Sequence, residues 1–216
     1  VVVVSDYQHT GRGRLDRRWV SPPASNIYMS CVLEPRIKIE EVNIFTFISS
    51  LATVNTLLEY EISSYIKWPN DVLIGGKKVC GVLTELNIHD DKLKSVVVGV
   101  GVNLNMDSKA LESHDLAAVA TSVYIESGKE VDRNQFLIKM LNNLDECYDK
   151  YSTEGKEYII EKWTDRWSGK DRNASVSLDG QNFTARCVCI DDNGYLVVEK
   201  PSGQKITVVS GDVQIL

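Results

Sequence analysis

The sequence predicts an α+β fold: a sheet-and-helix main unit followed by a small all-β unit. Three observations carry this reading. Between Glu40 and Tyr60 the apolar residues Ile44, Phe47, Ile48, Leu51, Val54 and Leu58 recur at intervals of three and four, the period of an amphipathic helix. From Tyr65 to Asn103 the period changes to short β-rich runs separated by Pro-Asn-Asp, Gly-Gly and His-Asp-Asp turn signals. From Asp171 onward, short alternating runs are punctuated by Asp179-Gly180, Asn193-Gly194 and Ser202-Gly203, the hairpin signals of a small barrel.

Taken in order, Val1–Ser5 predicts a buried strand and Ile27–Leu33 a second, with Pro22-Pro23 holding the chain outside any helix before it. In the helix over 40–60, Ser49, Ser50 and Asn55 fall between the apolar positions and are expected to face water. Strands follow at 65–68, 72–74, 81–87 and 95–103. The stretch 107–115 has little pattern and reads as a mobile connection. Helices are predicted near 116–126, 133–151 and 154–168, with Asp132 and Gln135 forming an N-terminal cap for the middle one. The strands of the last unit are predicted at 174–178, 182–191, 195–200, 204–209 and 213–216. Its core is thin for so short a segment, so it is expected to lean on the main unit.

With 216 residues the chain can build one sizeable core, or a main domain with an appendage. A net charge of −6 argues against a general nucleic-acid binder. No apolar run approaches the ~18 residues of a membrane span, and the opening Val run lacks the flanks of a signal peptide. A cytoplasmic protein with no nucleic-acid and no membrane partner is expected. The sequence does not begin with Met, so residues upstream of Val1 are expected. Five cysteines are an odd number, and their spacing is not that of a zinc site. They are expected to be buried reduced thiols, with no metal site.

Against this acidic background, "HTGRGRLDRRW" (9–19) concentrates four arginines and two glycines. Arg12, Arg14, Arg17 and Arg18 against Asp16 give it a local charge of +3. Guanidinium groups offer planar forks of donors to phosphate or carboxylate, and glycines leave backbone N–H groups approachable. On these residues alone, a solvated basic loop and an anion seat are both open.

"YIKWPNDVLIGGKKVCGVLTEL" (65–86) is the densest stretch. Lys67 and Trp68 leave a strand end, Asn70-Asp71 open a turn, and Gly75-Gly76 return Lys78 toward the same mouth. At Gly81 the missing Cβ allows a close approach. A plain surface hairpin satisfies the same residues. In "VVVGVGVNLN" (96–105), Gly99 and Gly101 share one strand face and leave room for a flat ligand, with Asn103 at the strand end. Close helix packing is the other reading of those glycines. Neither Gly11-x-Gly13, which lacks a third glycine, nor Gly75-Gly76-Lys77, which lacks the Walker spacing and its Ser/Thr, is a familiar nucleotide loop.

The order of these blocks is more specific than any one of them. "Q-x-x-GRGR-x-x-R-x-W", "KWPND", "KK-x-x-G-x-L-x-E" and "G-x-G-x-N", followed by a small β unit, resembles biotin protein ligase over nearly the whole chain. The resemblance implies a catalytic domain (1–170) with a mixed sheet and flanking helices, related to class II aminoacyl-tRNA synthetases, and an SH3-like C-terminal domain (171–216). It implies activation of biotin with ATP to biotinoyl-5′-AMP and transfer to one lysine of a biotin carboxyl carrier protein, with Mg2+ accompanying ATP. A homodimer is compatible with it.

By position, Gln8, Gly11, Arg12, Gly13 and Arg14 match the biotin-binding loop. The resemblance places Arg14 between the biotin carboxylate and the phosphate, Arg17 on the ATP phosphates and Trp19 as a shield against water. The loop is expected to be mobile until anions arrive, because its arginines lack partners. Lys78 falls on the oxygens of the intermediate, and Lys67 serves the same charge. Asp71 helps the acceptor lysine lose its proton, Gly81 lines the biotin ring pocket, and Asn70 and Asn103 reach the nucleotide.

Two departures stand out. Asp16 occupies a position where the family usually has Gly. The family's Ser-Thr-Asn block, which contacts the biotin ring, is absent from the chain and is expected upstream of Val1. No helix-turn-helix segment precedes the catalytic part, so a repressor role is not expected. The alternatives are a lipoate-protein ligase and a catalytically weak biotin-binding or regulatory module.

Overall fold

The computed structural model describes residues 1–178 and 180–216. Its first sheet has six strands: β1 (Val2–Ser5), β2 (Ile27–Leu33), β3 (Tyr65–Lys67), β4 (Asp71–Ile74), β5 (Lys77–His89) and β6 (Lys92–Val102), in the order β1-β2-β6-β5-β4-β3. Neighbouring strands all pair antiparallel, so the expected mixed sheet is replaced by an antiparallel one. Parallel pairing is confined to single-residue bridges, Ile66–Trp167 and Lys78–Ala120.

Strand alternation gives this sheet two different faces. On β6 the buried Val96, Val98, Val100 and Val102 point one way, and Val97, Gly99 and Gly101 the other. The valine face packs on α1 (Asn43–Glu59), which in turn packs on α4 (Arg133–Glu154) and α5 (Lys156–Asp165). The glycine face is not covered by a helix; the 9–19 loop lies over it.

Helix α1 is thus enclosed on both sides, which corrects the expectation for its polar residues. Ser49 and Ser50 are 4% and 0% exposed, whereas Leu58, expected on the core face, is 53% exposed. Ser50 Oγ donates to the Thr46 carbonyl at 2.9 Å and accepts from Trp163 Nε1 at 3.0 Å. Trp163 stacks on Phe47 with ring centroids 4.2 Å apart. The stretch Ile39–Glu59 is long and apolar enough to cross a membrane by length and composition alone, yet most of it is buried against the sheet and the other helices.

Several other expectations change. Val1 to Val4 are 44% to 87% exposed, because β1 is an edge strand paired only with β2. The stretch at 107–115 carries a short helix, α2 (Ser108–Glu112), capped by Asp107 and anchored by buried Leu111. Before α4 lies a single short turn of helix, α3 (Val123–Ser127). Asp132 caps α4 by accepting from the amides of Asn134 and Gln135.

The second sheet comprises β7 (Asn173–Leu178), β8 (Gln181–Ile190), β9 (Leu196–Glu199), β10 (Lys205–Val208) and β11 (Asp212–Ile215), in the order β10-β9-β8-β7-β11. The Asn193-Gly194 and Ser202-Gly203 signals fall on turns with left-handed glycines. The Asp179 half of the first hairpin signal lies outside the described residues. A register shift falls between Cys187 and Cys189: Cys187 is buried, but Cys189 is exposed, against the expectation of buried thiols. The unit is tied to the main core by Trp68 Nε1, which donates to the Gly194 carbonyl at 3.1 Å, and by Asn43 Nδ2, which donates to the Asn193 carbonyl at 3.2 Å.

Ser50→Ala removes the acceptor for the buried Trp163 indole N–H. It is expected to lower stability by about 1–3 kcal/mol, the cost of an unsatisfied buried donor, as measured by urea unfolding.

Candidate active site

The glycine face forms the floor of a cavity of about 450 Å³. On β5, Gly81, Leu83 and Glu85 point into it, while Cys80 and Val82 point back toward α1. Gly81 lies opposite Gly101 across the β5–β6 pair, so two missing side chains coincide. The walls are the 9–19 loop, the strand ends carrying Lys67 to Asp71, the 103–120 segment, and Asp212 and Val213 of the second sheet. Arg12, Arg14, Arg17, Arg18, Lys67 and Lys78 face three carboxylates there, Asp71, Glu85 and Asp212. Positive charge is therefore in excess.

The β4–β5 hairpin positions Lys78 and Asp71. Gly75 and Gly76 make its turn with φ of 55° and 88°, a conformation that glycine adopts freely. A register shift at Val72/Leu73 follows, and Lys78 is pinned on its other side: its N–H donates to the Val119 carbonyl, and its carbonyl accepts from the Thr121 N–H. Lys78 Nζ lies 2.6 Å from Asp71 Oδ1, although the approach is too far out of line for that oxygen to count as hydrogen-bonded. The contact is an ion pair of two partly sheltered groups. Asn70 Nδ2 donates to the Val82 carbonyl at 2.7 Å, locking the turn onto β5.

The 9–19 loop is not the partnerless segment that its composition suggests. Its base is closed by Trp19 N–H donating to the Gly11 carbonyl at 2.8 Å. Arg12 donates to Glu85 at 3.0 Å and Arg17 pairs with Asp212. Arg14 lies 3.4 Å from Asn70 Oδ1 and 3.5 Å from the Gly211 carbonyl, both weak contacts. Burial holds the Arg14 guanidinium below its ordinary pKa, opposed by Asp212 and Asp71 and reinforced by Arg17. An anion arriving at Arg14 would offset that desolvation by favouring the charged guanidinium.

Of the residues singled out from sequence, Gln8, Arg12, Gly13, Arg14, Arg17, Trp19, Lys67, Asn70, Asp71, Lys78, Gly81 and Asn103 all line the cavity. Gly11 does not: it is buried behind the loop, where a Cβ would collide with the Trp19 carbonyl. Asn103 donates its amide nitrogen to the Thr121 carbonyl at 3.1 Å, so that half of its side chain is already engaged by the protein. Sequence reasoning missed Asp212 and Gly211, which no local motif announces. Glu85 was in view as the last residue of "KK-x-x-G-x-L-x-E". Among the described residues, no cluster of three or more His, Cys, Asp or Glu forms a metal cage.

Chemically, this is a seat for a flat ligand bearing negative charge: glycines supply the floor, and guanidinium and ammonium groups converge above it. The family description "Biotin/lipoate A/B protein ligase family" matches residues 1–103, and "Biotin protein ligase C terminal domain" matches 175–216. The bifunctional ligase/repressor BirA of Bacillus spizizenii is 34% identical over 215 residues, covering 99% of this chain and 66% of that protein. The biotin–[acetyl-CoA-carboxylase] ligase of Paracoccus denitrificans is 29% identical, covering 94% of this chain and 86% of that protein. Among solved structures, the Aquifex aeolicus biotin protein ligase in complex with biotin and ATP superposes with a TM-score of 0.82 at 27% identity, over 100% of this chain and 88% of that one. The chain spans 66% of the Bacillus relative's length. The chain belongs to the biotin protein ligase family.

Behind the floor, burial pushes the Cys80 thiol up to about 12. At pH 8 only about one thiol in ten thousand would be ionised there. Thiol labelling of the native protein at pH 8 is therefore expected to modify exposed Cys189 and to spare Cys80 until the chain unfolds. Early loss of Cys80 in a mass-spectrometric time course would show that the floor opens.

Proposed function

We propose that the chain activates biotin with ATP to biotinoyl-5′-AMP and transfers the biotinoyl group to a lysine of a biotin carboxyl carrier protein. The observation that carries this reading is the convergence of Arg12, Arg14, Arg17, Lys67 and Lys78 over the floor at Gly81 and Gly101. Biotin's carboxylate must approach the α-phosphate of ATP, and two anions repel. Fixed cations in a sheltered cleft offset that repulsion and the charge that develops at phosphorus, a contribution often worth several kcal/mol. In this reading Arg14 spans carboxylate and phosphate, and Arg17 exchanges Asp212 for phosphate oxygens. Lys78 holds the oxygens of the mixed anhydride, and Asn70 and Asn103 face the nucleotide.

Asp71 sits beside Lys78 at the mouth, where it would receive the acceptor lysine and favour loss of its proton. The amine then attacks the mixed-anhydride carbonyl, and AMP leaves with the bonding electrons. The three cleft carboxylates already face cations. These residues fit a Mg2+ carried by the nucleotide's phosphates rather than by a protein cage, and the ion would supply further neutralisation of phosphate charge. The same reading assigns 1–170 to a catalytic domain related to class II aminoacyl-tRNA synthetases and 171–216 to an SH3-like domain. It also assigns the protein to the cytoplasm.

Biotin-dependent ATP–pyrophosphate exchange tests the activation step, with lipoate as the control acid. Exchange driven by lipoate and not by biotin would overturn the assignment. Arg14→Ala is expected to reduce biotinoyl-AMP formation by about a hundredfold or more, as when a preorganised charge donor is removed, while circular dichroism stays unchanged. The two lysines are expected to separate by step. Lys78→Ala should chiefly damage pyrophosphate release. Lys67→Ala should retain more adenylate formation and transfer poorly from purified biotinoyl-AMP. A Lys67→Ala enzyme that loses activation completely and transfers normally would reverse the two roles.

A further inference from the structure

The ring slot is not empty of protein. A Cβ placed on Gly101 would lie 2.5 to 2.7 Å from Trp19 Cε2, Nε1 and Cζ2, and one placed on Gly81 would lie 3.1 Å from Trp19 Cζ3. The indole therefore rests on both glycines at once, filling the space that their missing side chains leave. Lys78 Nζ sits 5.3 Å from the ring centroid, within reach of a cation–π contact. Trp19 thus occupies the ground where the proposed function seats the biotin ring.

This occupancy is poorly secured. The indole Nε1 is buried and has no hydrogen-bond partner, an arrangement that costs free energy. The loop that carries Trp19 holds two consecutive non-glycine residues in the left-handed region, Leu15 at φ 54° and Asp16 at φ 58°, each a source of backbone strain. Dispersion against the glycine floor and the Lys78 contact hold the ring in. An unpaired donor and a strained loop favour its release.

We propose that Trp19 is a removable internal occupant of the slot over Gly81 and Gly101, and that a ligand's ring enters by displacing it. The Trp19 main-chain N–H stays bonded to the Gly11 carbonyl at the base of the arginine loop, so the indole can leave the slot by rotation of its side chain while the base of that loop remains closed. The identity of the ring rests on the proposed function; the occupancy itself does not.

The test uses the full chain labelled with 5-fluorotryptophan, with the Trp19 fluorine resonance assigned by its loss in Trp19→Phe. In the ligand-free protein this resonance is expected to show little solvent isotope shift, and a fully solvated resonance would overturn the proposal. Gly101→Ala places a methyl where the indole sits and is expected to move the resonance toward the solvated value, whereas a methyl at Gly81 meets the end of the Lys78 side chain first, at 2.9 Å, and is expected to move the resonance less. An unmoved resonance in folded Gly101→Ala would overturn the proposal. Biotin alone should shift the wild-type resonance in the same direction. Trp19→Ala should bind biotin more tightly than the wild type, because the apparent dissociation constant is raised by the fraction of protein in which the slot is occupied. Biotin binding by calorimetry with Trp19 unmoved would overturn the displacement. Absence of biotin binding, with Gly101→Ala still expelling the indole, would support the occupancy and sink the functional reading instead.

Discussion

Concentrated positive charge needs a counterweight, and the arrangement of this protein follows from where that counterweight comes from. The 9–19 loop brings four arginines to one rim of the cleft, and the side-chain contacts of Arg12, Arg14 and Arg17 are borrowed from distant parts of the chain. Glu85 on β5 takes Arg12, and Asp212 at the start of β11 takes Arg17. The Gly211 carbonyl next to Asp212 lies near Arg14. Exposed ion pairs contribute little to stability, so these contacts are better understood as placing the loop than as holding the fold. The second sheet must therefore be seated correctly for the cleft to have its rim, and Trp68 does that from within the "KWPND" block by bonding to Gly194. One tryptophan thus links the motif at the mouth to the unit that supplies the loop's counter-charge.

The sheet separates stability from chemistry by alternation. Val96, Val98, Val100 and Val102 bury against α1, and the intervening Gly99 and Gly101 open the opposite face. On β5 the same alternation puts Cys80 and Val82 inward and Gly81, Leu83 and Glu85 outward. A one-residue slip of either strand would exchange these sets, closing the cleft with valines and placing glycines in the core. The long β5–β6 register, from Cys80 opposite Val102 to Leu86 opposite Val96, guards against that slip.

How much of this was legible in the sequence depended on whether the deciding interaction was local. The glycine alternation, the Gly75-Gly76 turn and the convergence of Lys67, Asp71 and Lys78 are consequences of spacing along one or two adjacent strands, and spacing is visible in a string. Ser50 was misread because its environment is set by a second layer of helices, and only the fold reveals that α1 is covered on both sides. Val1 to Val4 were misread for the opposite reason: an apolar run looks like a core strand unless one knows that it lies at the sheet edge. Asp212 was beyond reach. It is 195 residues from its partner Arg17, and nothing in the hairpin around it distinguishes it from any other surface carboxylate.

Asp16 shows how a departure from a family pattern acquires a physical meaning. Its φ of 58° lies in the left-handed region, where glycine is at ease and where aspartate and asparagine are the next most tolerant residues. Glycine, the residue that the resemblance leads one to expect here, would meet this backbone geometry without strain. Asp16 is exposed, and among the described residues it makes no ion pair with Arg17 or Arg18, so its carboxylate does not neutralise the loop it belongs to. Asp16 meets the backbone requirement at some cost in strain. Leu15 beside it, in the same region and 64% exposed, bears more, because its branched side chain has neither glycine's freedom nor aspartate's local hydrogen bonding. The strain thus falls between Arg14 and Arg17, at the point where the loop must change shape for its arginines to exchange protein partners for a ligand's oxygens.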